Sequence, residues 1–142
     1  MSIALHPQTI AANAGVASDR AFNAVSPPLH LSATYGWRDP LEKPQFDYSR
    51  SGNPTRAELE RALADLEGAE RGVITATGMA AVDLVLNLVN PGDTVIAPHD
   101  CYGGTFRLLS ARARRGHFAV DFVNQTDPAA FAAALTKKPR LV

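Results

Sequence analysis

The chain has 142 residues, of which 46% are hydrophobic and 20% are charged, a composition typical of a globular domain with a buried core. Basic and acidic residues are equal in number, 14 of each, so charge gives no reason to expect binding to nucleic acid or to an anionic membrane. The single cysteine excludes an internal disulfide, and the N-terminus lacks the basic and apolar regions of a secretion signal, which together predict a cytoplasmic protein.

Residues 1–52 are predicted to form an extended arm. Proline and glycine recur throughout this stretch, and only residues 8–14 have the pattern of a short helix. So long a segment without a core of its own is unusual inside a compact domain. We therefore expect the arm to lie across another surface, such as that of a neighbouring subunit.

The arm leads into residues 48–56, whose sequence YSRSGNPTR predicts an anion-binding site followed by a helix. The guanidinium of Arg50 is a planar fork of donors suited to phosphate, and the Tyr48 hydroxyl adds a further donor. Gly52 is expected to permit a tight turn. Asn53 followed by Pro54 is typical of a helix start.

Helices and strands alternate from residue 53 onward, which predicts an α/β fold with a parallel sheet. Leu141 and Val142 resemble the start of another buried strand, so we expect the chain to be the N-terminal part of a longer protein. The predicted elements are helices over 54–67, 79–90, 105–115 and 128–138, and strands over 72–77, 94–98 and 118–124.

Local signals define the ends of two of these helices. Gly68 suits the left-handed position that ends the first helix, and Asp127 suits the N-cap of the last. The apolar side chains of the first helix recur at helical spacing, at Leu59, Leu63 and Leu66.

The turn at Thr77, Gly78 and Met79 comes directly before a helix and is a candidate phosphate site. Backbone N–H groups at a helix N-terminus attract anions, and Gly78 would allow close approach. An ordinary strand-to-helix turn is the alternative, because neither of the common glycine-rich phosphate motifs is present.

The equivalent turn after the next strand contains Tyr102, followed by Gly103 and Gly104. Ligands of open α/β sheets bind outside the carboxyl ends of the strands, so this ring could stack on a planar cofactor. A ring that only covers the edge of the core is the alternative. Cys101 lacks the spacing to a histidine that known cysteine enzymes show, and the four histidines show no metal-ligand spacing. No metal site is predicted.

These motifs, in this order, resemble those of the pyridoxal-phosphate-dependent enzymes of cysteine and methionine metabolism. The resemblance covers essentially the whole chain, including residues 27–35. It implies a fold type I transferase, similar to aspartate aminotransferase, with residues 1–52 as an arm that contacts a neighbouring subunit. Residues 53–142 would then be the first part of a mainly parallel-sheet domain that binds pyridoxal 5'-phosphate.

The resemblance also implies a role for each motif. Tyr48 and Arg50 correspond to the pair that reaches the cofactor phosphate of a neighbouring subunit. Gly78 and Met79 correspond to the backbone phosphate cup, and Tyr102 to the phenol that stacks on the pyridine ring and takes part in proton transfer. The family is similar in forming tetramers built from dimers.

Within the family, residues 100–107 and 115–123 are most similar to the cystathionine γ-synthase branch. Gly104 argues against the methionine γ-lyases, which usually carry cysteine there. The implied reaction is γ-replacement, in which cysteine displaces the acyl group of O-succinylhomoserine or another O-acylhomoserine to give cystathionine. Cystathionine γ-lyase and O-acylhomoserine sulfhydrylase activities remain alternatives.

The chain contains three lysines, Lys43, Lys137 and Lys138. None of them matches the position of the lysine that carries the cofactor in this family. We therefore expect that lysine, and the arginines for the substrate carboxylate, to lie beyond residue 142. A non-catalytic α/β fragment is the third hypothesis, from a different class of function.

Overall fold

The computed structural model describes residues 5–142, which form two compact units. The first unit ends at Ile74 and the second runs from Thr75 to Val142. Among residues 5–142, no helix combines the length and apolar character needed to cross a membrane. In chain order the elements are α1 (Pro7–Asn13), α2 (Pro54–Glu67), α3 (Gly78–Val85), a 3-10 turn (Leu86–Leu88), β1 (Thr94–Pro98), α4 (Gly103–Arg114), β2 (Ala119–Val123) and α5 (Pro128–Leu135).

The second unit confirms the predicted α/β fold with a parallel sheet. β1 and β2 pair in parallel, with Thr94 opposite Ala119 and Pro98 opposite Val123. On the other edge of β1, Leu141 forms a parallel bridge, and its carbonyl accepts a hydrogen bond from the N–H of Ile96 (2.9 Å). Leu141 therefore occupies a third strand position in the sheet, beside β1, as predicted from its apolar character.

Helices cover both faces of β1, as its continuous apolar sequence requires. Alternate residues of a strand point to opposite faces, and here each face has its own buried cluster. Val95 and Ala97 pack in the cluster that contains Leu109 of α4. Ile96 packs on the other face, in the cluster that contains Ala134 of α5.

The predicted strand over 72–77 is wrong, because this segment forms no strand in the described residues. A parallel strand needs a neighbour for its N–H groups, and the N–H of Ile74 instead donates to the Glu60 side chain (3.3 Å). A Cβ at Gly72 would lie 2.6 Å from the Glu60 carbonyl oxygen, so only glycine allows this close approach.

The first unit contains α1, which packs on α2, and the rest of the arm. Gly68 ends α2 with φ of 62°, as predicted. The apolar stripe of α2 is only partly covered within this chain, because Leu59 and Leu63 are 49% and 42% exposed. The buried residue of α2 is the smaller Ala64.

Candidate functional site

Tyr48 and Arg50 lie together at the end of a short antiparallel pairing within the arm. Tyr48 forms an antiparallel bridge with Thr34, and the N–H of Ser49 donates to the Ala33 carbonyl (2.8 Å). The guanidinium carbon of Arg50 lies 4.9 Å from the centre of the Tyr48 ring, within the range of a cation–π contact. The ring therefore supports the guanidinium on one face.

Both side chains remain available to a ligand. Tyr48 is 41% exposed, and Arg50 is exposed as well. Across residues 5–142, the Arg50 guanidinium has no carboxylate partner. An unpaired guanidinium beside a phenol is a suitable pair of donors for an anion.

Asp47 stabilises the turn that carries this pair. Its carboxylate accepts hydrogen bonds from the N–H of Tyr48 (2.8 Å) and the hydroxyl of Ser51 (3.2 Å). Desolvation raises the pKa of Asp47, but the Lys43 ammonium and these two donors outweigh it, so the pKa lies below its usual value. The carboxylate is therefore ionised at neutral pH, and its contribution to the turn is lost only as the pH falls through that lowered pKa.

Asn53 caps α2 and also attaches the arm to it. Its side-chain oxygen accepts from the N–H of Arg56 (3.2 Å), which confirms the predicted cap. Its side-chain nitrogen donates to the His30 carbonyl (3.0 Å) and to the Tyr35 hydroxyl (3.0 Å). Sequence reasoning identified the first of these functions and missed the second.

Thr55 adds a second attachment of the arm, which sequence reasoning did not identify. Its hydroxyl accepts from the N–H of His30 (2.9 Å) and lies within hydrogen-bond distance of the Pro28 carbonyl (3.3 Å). The Asn-Pro-Thr sequence thus starts a helix and holds residues 28–30 against its first turn.

Two substitutions of Asn53 should separate its two functions. Asn53→Ala removes the cap, worth about 1 kcal/mol, so amide exchange in the first turn of α2 should accelerate about fivefold. Asn53→Asp keeps the capping oxygen and loses the N–H donors, so exchange should accelerate only in residues 28–35. Hydrogen–deuterium exchange with mass spectrometry measures both regions. Accelerated exchange of the α2 first turn in Asn53→Asp would contradict this division.

Arg56 does not act as a second exposed anion donor in the motif. Its Nη1 donates to the Ser49 carbonyl (3.0 Å) and its Nη2 to the Arg50 carbonyl (3.4 Å), while its Nε lies 3.5 Å from Glu60 Oε1. These contacts occupy the guanidinium within the protein. The spacing of Arg56 and Glu60 predicts an ion pair on a helix, but nothing local in the sequence indicates the contact with the arm.

The tight turn expected at Gly52 is present, since the N–H groups of Ser51 and Gly52 both donate to the Tyr48 carbonyl (3.0 Å each). The backbone conformation of Gly52 is not, however, one that requires glycine. Its φ is not positive, unlike those of Gly68 and Gly92. A Cβ at Gly52 would instead lie 3.0 Å from a ring carbon of Phe46. Glycine at this position makes room for the aromatic ring.

The second unit places Gly78 and Met79 at the open N-terminus of α3. The hydroxyl of Thr77 caps the helix by accepting from the N–H of Ala80 (3.1 Å). The N–H groups of Gly78 and Met79 have no acceptor in the part of the chain that the structure describes. A Cβ on Gly78 would meet no heavy atom within 4 Å. This helix end therefore has both free donors and open space for an anion.

Tyr102 lies next to this helix end. It precedes α4, which packs against α3, and the Thr105 hydroxyl lies 3.9 Å from the Met79 sulfur. The Tyr102 ring is 71% exposed. A Cβ at Gly104 would lie 2.5 Å from Cε1 of this ring and 3.1 Å from the Met79 sulfur, so the ring rests directly over the glycine.

The predicted site residues therefore form two groups. Gly78, Met79 and Tyr102 are close together in the second unit, whereas Tyr48 and Arg50 are adjacent in the first. Within residues 5–142, no group of three or more histidine, cysteine, aspartate or glutamate side chains is arranged to hold a metal ion.

Two of the three lysines form ion pairs with aspartates, and Lys43 does so beside the turn that carries Tyr48 and Arg50. Lys43 pairs with Asp47 (3.6 Å) and Lys137 with Asp121 (2.6 Å). Lys138 follows α5 with φ of 51°, a left-handed conformation.

Comparison with known proteins gives concordant results from sequence and structure. Residues 8–142 match the family described as Cys/Met metabolism PLP-dependent enzyme. The chain is 50% identical over 135 residues to cystathionine gamma-synthase of Escherichia coli strain K12, and this alignment covers 94% of the present chain and 35% of that protein. It is 38% identical to cystathionine beta-lyase of Coxiella burnetii, in an alignment that covers 96% of the present chain and 36% of that protein.

Among solved structures, the fold matches cystathionine gamma synthase from Xanthomonas oryzae pv. oryzae in complex with aminoacrylate and cysteine. The TM-score is 0.90 and the identity 47%, over 96% of this chain and 36% of that one. The chain thus spans about a third of the length of the proteins that it matches.

Proposed function

The chain belongs to the Cys/Met metabolism PLP-dependent enzymes, and within that family we propose that it is the N-terminal part of a cytoplasmic cystathionine γ-synthase. The fold type I architecture and the pyridoxal phosphate cofactor expected from the sequence are confirmed by this membership. The proposed reaction is γ-replacement of the succinyl or other acyl group of an O-acylhomoserine by cysteine, giving cystathionine and the free acid. The observation that carries this choice is the 50% identity to the E. coli γ-synthase.

The residues of both groups suit a planar, phosphorylated cofactor. The unpaired N–H groups of Gly78 and Met79, with open space at Gly78, suit the phosphate of the subunit that holds the cofactor. The exposed Tyr102 ring suits stacking on the pyridine and proton transfer through its hydroxyl. When bound, the cofactor supplies the electron sink that the reaction needs.

We assign Arg50 and Tyr48 to the phosphate of a neighbouring subunit's cofactor. The support is that the guanidinium is free of internal ion pairs, supported by the Tyr48 ring and carried on the arm. The half-exposed apolar residues Leu59 and Leu63 also favour an assembly that covers them. A homotetramer built from dimers is the proposed state, which sedimentation equilibrium measures.

Cystathionine β-lyase is the second candidate, supported by the 38% identity to the C. burnetii protein. Product analysis of the complete enzyme separates the candidates. A γ-synthase should release succinate and form cystathionine from O-succinylhomoserine and cysteine. A β-lyase would convert cystathionine to homocysteine, pyruvate and ammonia, and a γ-lyase would convert it to cysteine, 2-oxobutyrate and ammonia. A sulfhydrylase would prefer sulfide to cysteine.

The γ-synthase assignment predicts that cystathionine formation exceeds both lyase reactions by at least about tenfold in kcat/KM. Chromatography of the amino-acid products, with a coupled assay for the 2-oxo acids, measures all of these rates on one preparation. Faster breakdown than formation of cystathionine would overturn the assignment within the family. A colourless protein after addition of pyridoxal phosphate would favour the non-catalytic hypothesis instead.

A further inference from the structure

Arg56 holds the backbone on both sides of Arg50 through its guanidinium. Nη1 bonds the Ser49 carbonyl (3.0 Å) and Nη2 bonds the Arg50 carbonyl (3.4 Å). These carbonyls belong to the two consecutive peptide planes that flank the Arg50 Cα. Because each peptide unit is planar, fixing both planes from one rigid fork restricts φ and ψ of Arg50 and thereby the direction of its side chain.

The Arg56 side chain is itself held in place by contacts within the first unit. Arg56 lies in the first turn of α2, where Asn53 caps its N–H, and its Nε lies 3.5 Å from Glu60 one turn later. Glu60 also accepts the N–H of Ile74 (3.3 Å), so it is held on a second side. The Arg56 and Glu60 side chains are only 33% and 28% exposed, which limits competition from water.

We propose that Arg56, anchored by Glu60, is a positioning residue that orients Arg50 toward the cofactor phosphate. This inference rests on the proposed function, in which Arg50 contacts that phosphate. A plain ion pair between Arg56 and Glu60 is the competing explanation for the contact. The two explanations differ in what they predict for lysine at position 56. Lysine could replace the positive charge of an ion pair, but it lacks the planar guanidinium that bonds two successive carbonyls.

Arg56→Lys in the complete enzyme is therefore the informative substitution. We expect the apparent Kd for pyridoxal phosphate, measured by reconstitution of the apoenzyme, to rise about fivefold to tenfold through loss of the hydrogen-bonded fork. The ³¹P resonance of the bound phosphate should shift, since its guanidinium partner is less well oriented. Arg61→Lys is the matched control, because Arg61 is on the same helix and pairs with Glu58, whereas its side chain forms no hydrogen bond with residues 48–50 of the described chain. It should leave both readouts unchanged.

A double-mutant cycle tests whether Arg56 acts through Arg50. If it does, adding Arg56→Lys to Arg50→Ala should change the Kd by less than about twofold relative to Arg50→Ala alone. The positioning role would be overturned if the two substitutions raised the Kd independently, so that their fold-changes multiply in the double mutant. A wild-type Kd in Arg56→Lys would overturn it as well. If Arg50→Ala itself binds the cofactor as tightly as wild type, the assignment of Arg50 to the phosphate fails instead.

Glu60→Gln keeps the inference testable if Arg56→Lys does not fold. It weakens the anchor of the fork but leaves the bonds to the two carbonyls possible, so the Kd should rise about twofold to threefold. A Kd equal to wild type in this variant, at unchanged thermal stability, would contradict the role of the anchor and with it the proposal.

Discussion

Arg50→Ala should weaken binding of pyridoxal phosphate to the complete enzyme by about 10- to 100-fold. A charge-assisted hydrogen bond contributes roughly 1.5–3 kcal/mol, and about 1.4 kcal/mol corresponds to a tenfold change in Kd. The Arg50 guanidinium has no carboxylate partner in the described residues and contacts only the exposed Tyr48 ring, so its removal should cost the fold little. Equilibrium dialysis followed by absorbance of the retained cofactor measures the loss.

Tyr48→Phe separates the hydroxyl from the ring on which Arg50 rests. It keeps the surface for the cation–π contact at 4.9 Å and removes one neutral hydrogen bond, so we expect a loss of about two- to tenfold. Arg38→Ala is the control for the change in charge, since Arg38 is an exposed arginine of the same arm. Retention of the cofactor by Arg50→Ala at the level of Arg38→Ala would disprove the assignment.

Features encoded by neighbouring residues could be predicted from the sequence. The caps at Asn53 and Asp127 depend on a side chain two or three residues from the N–H that it binds, and both are present. The strand at Thr94–Pro98 has the predicted bounds because it is apolar from Val95 onward and bounded by turn residues.

Features that depend on distant partners could not be predicted. The segment over 72–77 has the composition of a strand, but strand formation requires a paired neighbour, and Glu60 takes one of its N–H groups instead. The contacts of Arg56 with the arm and of Thr55 with His30 cross six and 25 positions in sequence. No local pattern specifies them.

The candidate site shows the same division. The motifs identified the candidate residues, but not which of them can bind a ligand. In the structure the Arg56 guanidinium is taken up by internal hydrogen bonds, whereas Arg50 is exposed. The sequence also could not reveal that the ring of Tyr102 rests over Gly104, where a Cβ would lie 2.5 Å from a ring carbon.

Gly104→Ala should lower kcat/KM of the complete enzyme by about 10- to 100-fold while leaving its stability nearly unchanged. The new Cβ would lie 2.5 Å from Cε1 of Tyr102, so the ring must move. The ring is 71% exposed and can move at little cost in free energy of unfolding, and alanine is the better helix former. The loss should therefore come from displacing a group proposed to stack on the cofactor and transfer protons, a contribution typically worth about 100-fold or more.

Gly103→Ala is a closely matched control for this prediction. It makes the same change one position earlier on α4, where the new Cβ would approach only Nη1 of Arg107, at 3.3 Å, the far end of a flexible exposed side chain. We expect near wild-type kinetics for it, and a change in the visible circular dichroism of the bound cofactor for Gly104→Ala alone. Tyr102→Phe should reproduce the loss in rate without that spectral change, because it keeps the ring in place. Wild-type kinetics in Gly104→Ala would show that the position of the Tyr102 ring does not matter to the reaction.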